Sequence, residues 1–208
     1  MAGGKRGSTA GGGTVAAGVR PDDETARAQA LEAATRLYYL RGVQAVGMDA
    51  LRAESGLSLK RLYQLFPSKE AIVERVLQQQ HERWVEGLTS ATAAASTPRA
   101  RLLALYDFLD SWFSDDGFRG CVFINSFGEL AGTWPRVAEI VRAHKADFQK
   151  FVAELVVDAG GPETLAHQLS ILAEGATTTA AIAGTKDAAG HARDAAETLI
   201  DAALRNGR

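Results

Sequence analysis

At 208 residues, 46% hydrophobic and 23% charged, the chain is long enough to bury one sizeable core or two small ones. No run of about 18 apolar residues occurs, and the first twenty residues carry bases without an apolar stretch, so neither a membrane span nor a secretory signal is legible and a soluble, cytoplasmic protein is expected. A single cysteine, Cys121, excludes an internal disulfide, and four histidines scattered from His81 to His191 match no zinc spacing, so neither metal nor cofactor is expected.

The formal charge of −2 hides an asymmetry. Residues 1–80 hold eleven Lys and Arg against eight Asp and Glu, a net of +3, which leaves −5 for the remainder. Only the front end suits a polyanion.

Residues 1–20, rich in Gly, Ser, Ala and Thr, hold too few large apolar groups to offset ordering entropy and are expected to be a disordered tail. From Pro21 onward apolar residues recur at intervals of three and four, which predicts an all-α chain. Asp22, Asp23 and Glu24 form an acidic first turn, and Ala30, Ala34, Leu37 and Tyr38 give the buried stripe of a helix stopped at Arg41-Gly42. Two short helices follow around Gly56. Pro67-Ser68 caps a long fourth with Ile72, Val76, Leu77, Trp84 and Leu88. Thr97-Pro98 starts a fifth, a short sixth runs from about Arg119 to Ala131, and Trp134-Pro135 opens a seventh that ends at Gly160-Gly161. Pro162 and Gly184 bracket an eighth, and Asp187 to Asn206 is the ninth. The predicted organisation is a three-helix helix-turn-helix unit over residues 21–67 and a helical domain over residues 68–208, about nine helices in all.

The most informative stretch is Gly47 to Ile72. Ala50, Leu51 and Ala53 allow one short helix to cross another closely, Gly56 supplies a left-handed turn residue, and Ser58 caps the next helix. At about 100° per residue, Leu59, Leu62 and Phe66 share one side with Tyr63 at its edge, and Lys60, Arg61, Gln64 and Leu65 are assigned to the opposite face. Bases in a first helical turn oppose the macrodipole unless an anion arrives. Arg61 and Gln64 carry the donor sets for guanine and adenine edges, outward Leu65 would meet a thymine methyl, and Lys69 offers a phosphate contact.

Ala33-Ala34, Arg41-Gly42, Gly56-Leu57-Ser58, Leu62-Tyr63 and the run Phe66-Pro67-Ser68-Lys69-Glu70 make residues from about Ala30 to Leu77 resemble the DNA-binding domain of the TetR/AcrR family of bacterial repressors. The resemblance implies a homodimer on double-stranded operator DNA, phosphate contacts from Tyr63 and Lys69, and a C-terminal domain that binds a small-molecule effector. Two departures stand out: Gly47-Met48 where the family often caps its second helix with a hydroxyl, and Lys60-Arg61 where it often has Gly-Thr.

In the second half, Trp84, Tyr106, Trp112, Phe123, Phe127 and Phe148 are the aromatic candidates for an apolar effector pocket, with His144 and Glu174 as polar anchors. Leu169, Leu172, Gly175, Ala176, Ala180 and Leu199 are the candidate dimer contacts, because small residues at helical spacing permit close helix approach. Plain core packing is the alternative for both sets. A catalytic reading lacks its residues, since no Glu-x-x-His pair, His-Glu-x-x-His, Gly-x-Ser-x-Gly or phosphate loop is present. A protein-binding helical adaptor is the remaining rival, and it differs from a DNA binder in lacking salt-dependent affinity for mixed duplex.

Overall fold

Side-chain oxygens open three of the helices: Ser58 accepts from the Arg61 N–H at 3.1 Å, Ser68 from Ala71 at 3.2 Å and Thr97 from Ala100 at 3.1 Å. Left-handed glycines close others, with Gly56 at φ 70° and Gly184 at φ 68°. In this computed structural model, residues 21–206 are described, and among them the chain forms nine helices and no strand. They are α1 Pro21–Arg41, α2 Met48–Ser55, α3 Leu59–Leu65, α4 Lys69–Ala93, α5 Pro98–Phe113, α6 Val122–Leu130, α7 Pro135–Asp158, α8 Glu163–Ala183 and α9 Asp187–Asn206. The expected disordered tail, residues 1–20, lies outside the described residues. Helix α6 starts later than the sequence suggests, because Gly120 sits at φ 86°, where a helix cannot run, and a Cβ there would lie 2.9 Å from that of Ala181.

Two apolar clusters hold the helices. The first joins Leu37, Val46, Leu51, Leu62 and Phe66 of α1 to α3 with Ile72, Val73, Val76 and Leu77 of α4, and continues into Phe123, Leu130, Val137 and Val141 of α6 and α7. The second packs Leu102, Tyr106, Val152, Leu169, Ala196 and Ile200 of α5, α7, α8 and α9 around Leu88 of α4. Each fully buried Leu or Ile contributes about 1.5–3 kcal/mol, so the shared first half of α4 fixes the N-terminal helices to the rest of the chain by apolar burial. Packing therefore does not stop at residue 67.

Polar ties reinforce this junction. Tyr39 donates its hydroxyl proton to the Gly120 carbonyl at 3.0 Å and accepts from the Arg119 N–H at 2.8 Å, which pins α1 to the turn before α6. The Glu129 carboxylate accepts the Gln44 N–H at 3.0 Å, and the Gln44 amide donates to the Glu129 carbonyl. Gly42, at φ 80°, turns the chain directly under Glu129, and a Cβ there would sit 2.9 Å from its Oε1. Replacing Gly42 by Ala forces a left-handed alanine and displaces the carboxylate that holds Gln44. Gly42→Ala should lower the unfolding free energy by about 1–2 kcal/mol in urea titrations. An unchanged midpoint would show that this joint carries no strain.

Candidate functional site

Helix α3 is seven residues long and is held on three sides. Leu62 is buried under α1 and α2, Gly56 donates its N–H to the Arg52 carbonyl at 3.1 Å to turn the chain, and Arg27 of α1 donates to the Leu65 carbonyl at 2.7 Å. Arg27 also lies over the Phe66 ring, 5.5 Å from its centroid. With its carbonyl end clamped and its first turn capped by Ser58, the helix presents a defined outer face.

Lys60, Tyr63 and Gln64 occupy that face, exposed and without a hydrogen bond or ion pair among the described residues. Leu65 does not. It is 4% exposed, because three residues on from Leu62 it points only about 60° away and shares the inward side. The thymine-methyl contact expected of Leu65 is therefore withdrawn. Lys69 also differs from expectation, since its ammonium donates to the Val43 carbonyl at 2.7 Å and burial lowers its pKa. It braces the loop after α1, with two N–H groups left over for a phosphate.

Arg61 has found its anion within the chain. Its guanidinium lies 2.6 Å from Asp23 Oδ1 and 3.3 Å from Asp22 Oδ2, and its side chain is only 26% exposed. The acidic first turn of α1 thus faces the first turn of α3 and relieves the clash of Arg61 with the macrodipole. Spacing along the sequence held no signal for this pair, 38 residues apart, nor for Arg27 against Leu65.

Comparison with known proteins decides the family. Residues 30–76 match the profile of bacterial regulatory proteins of the tetR family, and residues 98–196 match the tetracyclin repressor-like C-terminal domain. The chain is 32% identical over 159 residues to the HTH-type transcriptional activator FasR of Mycolicibacterium smegmatis, spanning 74% of this chain and 68% of that protein. It belongs to the TetR family. Among solved structures, a TetR-family regulator from Streptomyces coelicolor superimposes at TM-score 0.77 and 25% identity, covering 88% of this chain and 96% of that one. A putative TetR regulator from Streptomyces avermitilis does so at 0.76 and 29%, covering 86% and 97%. The chain is accordingly a non-enzymatic, DNA-binding transcriptional regulator.

In this TetR-family chain the C-terminal aromatics are only partly gathered. Phe123 stacks on His144 with centroids 3.5 Å apart, and Trp84 meets His144 and Phe148 edge-on at 5.1 and 5.2 Å. Trp112 and Glu174 line the same crevice, where Lys145 donates to both Glu174 oxygens at 2.7 and 2.8 Å. Tyr106 stands apart in the second cluster, its hydroxyl donating to the Leu169 carbonyl at 2.9 Å, and Phe127 lies outside under Arg142. The crevice measures about 20 Å³, room for one water and no more. Around Trp84, His144 and Phe148 the expected effector pocket is filled by its own side chains, whereas Trp112 also faces a second hollow and Phe127 lies at the surface.

The dimer candidates need a similar correction. Leu169, Ala176 and Ala180 are buried inside the subunit in the cluster with α5, α7 and α9, Leu172 and Leu199 are half-buried, and of the six only Gly175 is exposed. The outward stripe of α8 is Ile171, Gly175, Thr178 and Ile182, with Ile171 71% and Ile182 83% exposed.

His144 supplies a pH test of the packed core. Burial first, then the Lys145 and His81 charges, push its pKa down to about 3, so it stays neutral when folded, while an unfolded histidine takes up a proton near pH 6.5. A lowered folded pKa means the contribution is complete above about pH 6.5 and is lost as pH falls from there toward 3. Between pH 7 and pH 5, stability should drop by about 1–2 kcal/mol, and His144→Phe should flatten that slope in urea titrations at the two pH values. Equal slopes in both proteins would mean His144 titrates normally.

Proposed function

We propose that the chain is a homodimeric repressor that reads operator DNA with α3 and is released by a small, largely apolar effector. The observation that carries DNA reading is the unpartnered outer face of α3. Gln64 pairs with an adenine edge, Lys60 and Tyr63 with phosphates, and Arg61 with a guanine edge once it leaves Asp22 and Asp23. The positive front half supports the same face. The exposed Ile171 and Ile182 support pairing of two subunits through the outer stripe of α8, since large apolar groups at more than two-thirds exposure gain by meeting a copy of themselves. The junction supports release by an effector: one that prefers one placement of α6 would shift α1 to α3 with it, through the shared core and the Tyr39 and Glu129 ties.

Selection of bound duplexes from a random pool tests the reading directly. An inverted repeat with half-site centres about one helical turn, ~10 bp, or a multiple apart is the expected product. Gln64→Ala should weaken binding to that repeat by about 1–3 kcal/mol while leaving mixed-sequence duplex unaffected. Ile171→Arg with Ile182→Arg should give a monomer by light scattering and lose the repeat. Transcription in vitro from a promoter carrying the repeat should fall when protein is added, whereas a rise would make the chain an activator, as FasR is named.

A further inference from the structure

A hollow of about 380 Å³ opens between the DNA-reading helices and the C-terminal helices, within the range of small-molecule sites. Its walls are chiefly apolar, formed by Tyr39 and Leu40 of α1, Val76 of α4, Trp112 at the end of α5, Phe118 in the following turn and Val122 of α6. Leu40 is 53% exposed, a large apolar side chain that the described residues leave half open. Tyr38 also lines the hollow, and its buried hydroxyl has no hydrogen-bond partner among the described residues.

Two charged side chains line this hollow, Arg36 and Asp115, and only Arg36 is ion-paired among the described residues. The Arg36 guanidinium is already shared between Glu32 at 2.7 Å and Glu54 at 3.1 Å, so it offers no free cation to an occupant. Asp115 lines the opposite side and has no ion pair among the described residues, with Asp116 following it. Arg119 follows Phe118 outside the lining, so Asp115 is the one unpaired charged side chain among the described residues that form the hollow's wall. Aromatic walls beside an uncompensated carboxylate favour a flat organic cation, which gains apolar contact, attraction to ring faces and a counter-ion together.

We propose that this junction hollow binds a flat aromatic cation and that, with the effector reading above as its premise, this is where the effector acts. The position gives the occupant leverage. A molecule between Leu40 and Phe118 presses on Tyr39, whose hydroxyl bridges the Arg119 N–H and the Gly120 carbonyl, two residues before the start of α6. It also presses on the end of α1, just before the Gly42 turn that Glu129 covers. Occupation therefore changes how α1 to α3 sit on α6 without entering the filled crevice at His144.

The probe is 4-(4-dimethylaminostyryl)-N-methylpyridinium, a fluorescent aromatic cation, titrated into the full chain, with the anionic 8-anilinonaphthalene-1-sulfonate as the opposite-charge comparison. Saturable emission from the cation is expected, with affinity cut about tenfold by Asp115→Asn and abolished by Leu40→Arg, while His144→Gln leaves it unchanged. Both altered positions in the hollow are exposed, so loss of fold does not confuse the result. In the same series, anisotropy of the labelled selected duplex reports operator binding with and without the cation, against a blank of duplex and dye alone. Weaker operator binding at saturating cation is expected. No saturable binding, binding indifferent to Asp115→Asn and Leu40→Arg, or a preference for the anion overturns the site, and binding that leaves operator affinity unchanged overturns its coupling to DNA. A protein that holds the operator but fails these tests loses only the hollow, whereas one that holds no operator loses the DNA-reading function itself.

Discussion

Everything in this molecule hangs on the first half of α4. Ile72, Val73, Val76 and Leu77 are buried between the three N-terminal helices on one side and α6 and α7 on the other, so one set of side chains belongs to two packing problems at once. Close-packed interiors do not deform smoothly, and a repacking on one side must be answered on the other. Helix α3 has no independent footing. Its position is a property of the whole subunit, set through α1 and α4 and trimmed by Tyr39 and Glu129.

Helix boundaries were largely legible because they depend on local chemistry. Ser58, Ser68, Thr97, Gly56 and Gly184 each act within a few residues of their own position, so their side chains and turns announce themselves in sequence. Facing was less legible at the edges of each stripe. Leu65 lies beside Leu62 rather than behind it, and α8 turns Leu169, Ala176 and Ala180 inward while Ile171 and Ile182 face out, because a small residue is as suitable for close packing within a subunit as between two. Long-range partners were not legible at all. Arg61 with Asp23 and Lys69 with the Val43 carbonyl depend on tertiary placement that no spacing rule carries.

The C-terminal aromatics show how composition can mislead about free space. Trp84, Phe123, His144 and Phe148 meet at good edge-on and stacked geometry, and rings that satisfy one another leave no volume for a guest. Tyr106 spends its hydroxyl on the Leu169 carbonyl, a structural bond between α5 and α8. The hollow lined by Tyr39, Trp112 and Phe118 lies instead where the two apolar clusters meet.

The internal pairing of Arg61 bears on how the protein searches a genome. A cation facing solution would release counterions on any stretch of duplex and strengthen attachment to every sequence alike. With Asp22 and Asp23 already beside it, Arg61 brings little of that indiscriminate attraction, and under the proposed base contact it would gain from leaving them only where a base edge offers an equally well-placed acceptor pair. On the proposed reading, residence on wrong sites would shorten while residence on the right one is kept, and an intramolecular ion pair of small thermodynamic weight would work as a filter on dwell time.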